Sequence, residues 1–153
     1  MLRDLESILQ EHPLLAGLSP GQRALLAGCA RNHRFDPGSY LLREGEAASE
    51  MYFLRDGRVA LEIHIPGRAP KVVATLGDGD LVGASWLVPP YRWQFDARAL
   101  RTTRAIGVDA QCLRAKAEAD PVFGYAMMKC FMPVLVARLQ AARLQMLDVY
   151  ARC

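Results

Sequence analysis

From Tyr40 to Val108 the chain is a series of short extended runs, each cut off by a turn. The runs SYLLRE, EMYFLRD, RVALEIHI, KVVATL, FDARAL and TRAIGV are separated by Glu44-Gly45, Asp56-Gly57, Pro66-Gly67 and Gly77-Asp78-Gly79-Asp80. Strands of this length and spacing, with turn residues between them, predict an antiparallel sandwich or a barrel-like roll. A roll of short strands must reverse direction tightly. Glycine reaches positive φ without a Cβ penalty, so Gly45, Gly57, Gly77 and Gly83 are expected at such reversals.

The flanks read as helical. Leu2, Leu5, Ile8 and Leu9 form an apolar stripe at helical spacing. Ser19-Pro20 is a cap followed by proline at the first helical position, predicting a helix through Arg23–Ala30. After the roll, Asp109 can cap a helix through Leu113 and Lys116, and Asp120-Pro121 starts another. In that last helix Tyr125, Met128, Met132, Leu135, Leu139, Ala142, Met146 and Val149 keep 3-4 spacing, the pattern of a coiled-coil seam. The seam predicts a parallel homodimer, against the plainer reading of a helix that only covers the domain. A second stripe, Phe131, Val134, Leu144 and Leu147, is expected to face the roll. Pro133 removes the bond to the Lys129 carbonyl, so a kink or a broken start is expected there. The 153 residues thus read as one domain, with helices over 1–34, a roll over 35–109 and helices over 110–153.

Several function classes are disfavoured. The net charge of +3 comes from 19 basic and 16 acidic residues with no run of four Lys/Arg, unlike the clustered basic face of a nucleic-acid binder. No segment after the last helix is available to read a DNA groove, so DNA binding is not expected. The N-terminus, MLRDLESILQEHP, lacks the apolar core of a secretory signal. The most apolar stretch, Val122 to Ala137, is short and carries Lys129 and Pro133, so no membrane span is expected. Cys29, Cys112, Cys130 and Cys153 show no metal-binding spacing and His12, His33 and His64 are scattered. No metal is expected, and reduced thiols in a cytoplasmic protein are the plain reading, with Cys153 exposed. Ser85 has no nucleophile-elbow context, and the acidic residues Glu44, Glu46, Glu50, Asp56, Asp78, Asp80 and Asp96 mostly sit in turns. The chain is not expected to be an enzyme.

The stretches FDPGSYLLREGEAASEMYFLRDGRVALEI, Phe35 to Ile63, and LGDGDLVG, Leu76 to Gly83, carry a resemblance. In order and spacing of turns they resemble the cyclic-nucleotide-binding domain of catabolite activator and Fnr-type regulators. The resemblance implies an α+β, mainly β fold: a double-stranded β-helix, or jelly-roll-like β-roll, flanked by N-terminal helices and a long C-terminal dimerisation helix. It further implies a cytoplasmic sensor in which a ligand in the roll changes the docking of the C-terminal helices. Met128, Met132, Leu135 and Leu139 would transmit that change from near Phe95 and Ala97.

The same resemblance places the ligand in the loop LVGASWLVPPYRWQFDARAL, Leu81 to Leu100. There the family carries a Glu after the glycine, for the ribose hydroxyl, and an Arg followed by a small residue, for the cyclic phosphate. This chain has Ala84 after Gly83, and Phe95 in Phe95-Asp96-Ala97 at the arginine position. No cofactor is therefore certain: a cyclic nucleotide is the implied ligand, without its usual contacts. The candidate ligand residues are Gly83, Ala84, Ser85, Trp86, Arg92, Trp93, Phe95, Asp96 and Ala97. Arg92, Arg98 and Arg101 are the available substitute charges, each also readable as a surface residue. Trp86, Tyr91, Trp93 and Phe95 admit three readings: a pocket for a flat apolar ligand, a cavity filled by its own side chains, or a patch for a protein partner. The last makes the rival function a constitutive adaptor subunit with a degenerate pocket.

Overall fold

The computed structural model describes residues 5–151, so Leu2 and Cys153 lie outside it. Among the described residues the strands are β1 (Ala30–Phe35), β2 (Tyr40–Leu42), β3 (Glu50–Asp56), β4 (Val59–Ile63), β5 (Lys71–Leu76), β6 (Leu81–Val82), β7 (Asp96–Ala99) and β8 (Thr103–Asp109). They form two four-stranded sheets, in the orders β1-β8-β3-β6 and β2-β7-β4-β5, and every pairing is antiparallel. This is the expected β-roll. Helices α1 (Leu5–Gln10) and α2 (Pro20–Ala27) precede it, and α3 (Ala110–Ala119) and α4 (Pro121–Ala151) follow.

Local chemistry explains most boundaries. The Ser19 hydroxyl accepts from the Gln22 N–H at 3.2 Å, and the Gln22 side chain accepts from the Ser19 N–H at 2.9 Å, a complete capping box. Asp109 accepts from the Cys112 N–H at 2.7 Å and Asp120 from the Phe123 N–H at 3.2 Å, starting α3 and α4. One boundary differs from expectation. Helix α2 ends at Ala27, and Ala30–Phe35 is a strand rather than the tail of a helix. The sequence ARNHRF has no apolar alternation to announce it. It is extended because it pairs along its whole length with β8, from Ala30↔Val108 to Phe35↔Thr103.

Polar chemistry then holds β1 in place. Glu50 of β3 is buried between Arg31 and His33 of β1, with Oε1 2.7 Å from Arg31 Nη2 and Oε2 2.7 Å from His33 Nε2. Gly107 of β8 leaves the room, since a Cβ there would come within 2.3 Å of Glu50 Oε2.

Helix α4 has one buried stripe, Phe123, Met127, Cys130 and Phe131, continued by the half-buried Val134 and Arg138. Phe131 packs on Phe53 of β3 and edge-on to Trp86, at ring separations of 6.2 and 6.4 Å. Leu144 and Leu147, expected on this stripe, are 66% and 63% exposed. The helix runs through Pro133 without a break, and every residue from Leu139 to Ala151 is exposed. Its apolar stretch also outlasts Lys129 and Pro133: α4 contains an 18-residue window of mean hydropathy 1.4, long and apolar enough by composition to cross a membrane. Core helices of soluble proteins meet that criterion too, and the first turns of α4 pack on the roll.

Cys29 and Cys112 form a disulfide, which corrects the expectation of reduced thiols. The bridge ties the start of β1 to the first turn of α3 across 83 residues of sequence. Closing a loop of that length stabilises the fold by about 4.5 kcal/mol on the chain-entropy account. Cys130 is a buried free thiol.

The Glu50 cluster gives acid stability a definite sign. Burial raises the Glu50 carboxyl, but the hydrogen bonds and charges of Arg31 and His33 outweigh it and hold it below its ordinary 4.5. A depressed carboxyl contributes stability above its unfolded value and loses it as pH falls through the folded value. Glu50→Gln is expected to destabilise the protein by about 1–3 kcal/mol at neutral pH. It should also flatten the further loss below the ordinary carboxyl value. Urea midpoints measured on both proteins across the acid range check the two effects.

Candidate ligand-binding site

The loop between β6 and β7 is built by its backbone. It leaves β6 through Gly83 at φ 88°, passes a 3₁₀ turn at Ser85–Leu87 and a cis Pro89-Pro90 bond, and reverses at Tyr91 with φ 56°. Its return leg is fastened to the Arg43–Ala48 turn. Trp93 N–H donates to Glu46 O at 3.0 Å, Gly45 N–H to Trp93 O at 2.9 Å and Ala48 N–H to Tyr91 O at 2.7 Å. Asp96, at the start of β7, is buried and accepts from the Glu44 N–H at 2.7 Å, with Arg43 Nε 3.8 Å away.

Two arginines fasten the loop to the C-terminal helices. Arg114 of α3 donates to the Trp86 carbonyl and stacks over Tyr91, 4.2 Å from the ring centre. Arg138 of α4 donates to the Leu81 carbonyl at the loop's entry.

Beneath the loop lies a cavity of about 480 Å³, a size suited to a small organic ligand. Its lining comes from three places: Ala84, Ser85, Val88, Pro89, Pro90, Arg92, Gln94 and Phe95 of the loop, Leu61 of β4, and Leu135 and Arg138 of α4. The wall is mostly carbon. Among the sequence-predicted residues it therefore brings together Ala84, Ser85, Arg92 and Phe95.

The other candidates are placed elsewhere. Trp86 and Trp93 are 2% and 4% exposed, sit in the core and do not line the cavity, so the reading of an indole-walled pocket is corrected. Trp93 instead fills the space beside Gly83, where an added Cβ would come within 2.6 Å of its ring. Ala97 is fully buried in β7, and Asp96 is spent on the Glu44 turn. Of the three substitute arginines, Arg98 pairs with the buried Glu62 at 2.9 Å, and Arg101 lies 3.6 and 3.8 Å from Asp56 and Asp78. Arg92 alone of the three lines the cavity, and its Nη1 donates to the Gly45 carbonyl at 3.0 Å. The 3₁₀ turn has a single winding, too short for a significant dipole.

Arg138 escaped the sequence reading, which used α4 for its seam. A signal existed: Arg138 falls on the spacing of Phe131 and Val134, a charge on the stripe that faces the roll. Of the proposed seam, Tyr125, Met132, Leu139, Ala142, Met146 and Val149 are exposed, whereas Met128 and Leu135 are half-buried.

With this geometry in hand, comparison with known proteins gives the class. The model of the cyclic nucleotide-binding domain family matches residues 32–120, more than half of the sequence. The chain belongs to that family. It is 31% identical to a cAMP-dependent protein kinase regulatory subunit of Schizosaccharomyces pombe over 83 residues, which are 54% of this chain and 19% of that protein. The chain thus spans about a fifth of the length of the kinase subunit it matches. Among solved structures, a cyclic nucleotide-binding domain from Methylobacillus flagellatus superposes with a TM-score of 0.83 at 16% identity, covering 96% of this chain and 86% of that one. The catabolite activator protein of Thermus thermophilus gives 0.70 at 23% identity, covering 91% and 63%. At these identities the likeness speaks for the fold.

The loop geometry makes Gly83 a sensitive position. Gly83→Ala meets both a left-handed backbone and the Trp93 ring, and is expected to destabilise by about 2–4 kcal/mol. Chemical denaturation followed by tryptophan fluorescence measures it directly; a change under about 0.5 kcal/mol would contradict the placement of Trp93.

Proposed function

We propose that this domain is a regulatory sensor whose cavity takes a cyclic-nucleotide-type ligand and reports its presence through α4. One observation carries the reading: the cavity is walled by the loop on one side and by Leu135 and Arg138 of α4 on the other. A ligand there contacts the helix as well as the roll, so the two can have different affinities for different helix positions. That difference is what a population shift requires.

Chemistry of the wall sets the expected specificity. Ala84 and Phe95, where the resemblance expects Glu and Arg, both line the cavity. With alanine at the first position no carboxylate waits for a ribose hydroxyl, so a 2′-deoxy ligand should bind as well as its ribo form. With phenylalanine at the second, the phosphate needs a different cation, and Arg92 is at hand. The adaptor alternative loses its main support, because the indoles that would form its hot spot are buried.

The exposed face of α4 supports a homodimer as the signalling unit. Met132, Leu139, Met146 and Val149 are 47–59% exposed at seam spacing, a surface a second α4 would cover. A cytoplasmic, non-enzymatic regulator fits the family; in a reducing compartment the Cys29–Cys112 bridge would be the part of the fold under redox control.

Calorimetry with cyclic AMP and cyclic GMP tests the reading. Saturable binding is expected, with the 2′-deoxy analogue of the better ligand within about threefold of it. Sedimentation of the same samples should show a dimer that Leu139→Glu converts to monomer. Absence of heat at millimolar nucleotide contradicts the sensor reading, and a wild-type monomer contradicts the role given to the α4 face.

A further inference from the structure

We propose that Arg138 of α4 is the anion anchor of the cavity, gripping the single charged group, phosphate or carboxylate, of a small organic ligand whose apolar body lies against Phe95, Val88 and Leu135. The inference rests on reading this cavity as a ligand site and names the residue and ligand class that make it one.

Its position carries it, together with the contrast with other arginines. Arg23 and Arg114 are also half-buried without a carboxylate partner among the described residues. Arg23, however, is spent on Gln10, Leu15 and Ala16, and Arg114 on the Trp86 carbonyl and the Tyr91 ring, and neither lines the cavity. Arg31 pairs with Glu50, Arg43 with Asp96, Arg98 with Glu62, and Arg101 with Asp56 and Asp78. Arg138 and Arg92 line the cavity, and neither is within ion-pair distance of a carboxylate among the described residues. Arg138 is the half-buried one of the two. Burying a charge without a counter-charge is unfavourable. The strain on it is legible: burial lowers the Arg138 pKa, and the more distant Asp80 only partly opposes this. A guanidinium nevertheless remains charged in a protein.

Donor capacity points the same way. A guanidinium offers five N–H groups in a planar fork. One side of the Arg138 fork is used on the Leu81 carbonyl, and no other described group accepts from it. The remaining donors suit an anion that accepts two parallel hydrogen bonds, as a phosphate or carboxylate does. Arg92 brings a second positive charge from the loop side. No further basic side chain lines the cavity and the rest of its wall is largely apolar, so it is matched to one anionic group and not to a polyphosphate chain.

The consequence is mechanistic. When the cation that binds the ligand sits on the helix that moves, binding and signalling share one residue. An anion competing for the Arg138 fork would loosen or redirect its bond to Leu81, and with it the docking of α4 on the loop.

The test is calorimetry of the full chain and of Arg138→Gln and Arg138→Lys with four probes: cyclic AMP, cyclic GMP, phenyl phosphate and decanoate. Wild type is expected to saturate with at least one, Arg138→Gln to bind it at least about tenfold more weakly, and Arg138→Lys to recover part of the loss. Equal affinity of wild type and a folded Arg138→Gln overturns the assignment while leaving the site reading intact. No binding of any probe at millimolar concentration overturns both. Binding of phenyl phosphate or decanoate but neither nucleotide, lost in Arg138→Gln, upholds the anchor and contradicts the nucleotide reading. Should Arg138→Gln fail to fold, the Arg138 side-chain Nε–H resonance of labelled wild type, assigned with Arg138→Lys, decides: it must shift as the bound probe titrates, and an unmoved resonance at saturation overturns the assignment.

Discussion

Two helix-borne arginines tie the cavity loop to the C-terminal helices. Arg114 grips the carbonyl of Trp86 from α3, and Arg138 grips the carbonyl of Leu81 from α4. Among the described residues, the backbone bonds from the loop to the roll run to the Arg43–Ala48 turn. The loop's position relative to the C-terminal helices is therefore set by two charged hydrogen bonds, backed by the contact of Trp86 on Phe131. Charge-assisted bonds of this kind are strong when desolvated and can be exchanged for a better acceptor. On the sensor reading proposed above, that combination is what a loop both firmly placed and switchable requires.

The rest of the fold supplies a rigid frame for that exchange. Sheet β1-β8-β3-β6 is buried through β3, with Phe53 meeting the helices and Glu50 bonded to β1. The Cys29–Cys112 bridge fixes α3 to the start of β1, at the edge of the same sheet where β8 ends. With α3 tied covalently and the first turns of α4 in the core, the exposed remainder of α4 is the part free to respond. Its exposed apolar residues are the surface that the proposed homodimer would cover.

Much of this was legible in the sequence, for identifiable reasons. EMYFLRD and KVVATL are bounded by turn residues and appear at those limits as β3 and β5, and the Ser19, Asp109 and Asp120 caps start their helices as expected. What escaped was decided by partners distant in sequence. ARNHRF is a strand because β8 lies beside it, and Cys29 meets Cys112 because the fold brings them together. Trp86 and Trp93 looked like pocket walls because they share a loop with Phe95, but the turn at Gly83 and the tie to Glu46 send both indoles inward. Arg138 was hidden by a seam pattern that explained its helix without it.

The central claim is that occupancy of the cavity is read by α4 through Arg138. Hydrogen–deuterium exchange with and without a saturating ligand measures this most directly. The account predicts that peptides from the loop, residues 81–95, and from the second half of α4, residues 132–150, change protection together, and that the α4 response disappears in Arg138→Lys at equal occupancy. Protection confined to the loop, with α4 unmoved at saturation, would contradict it.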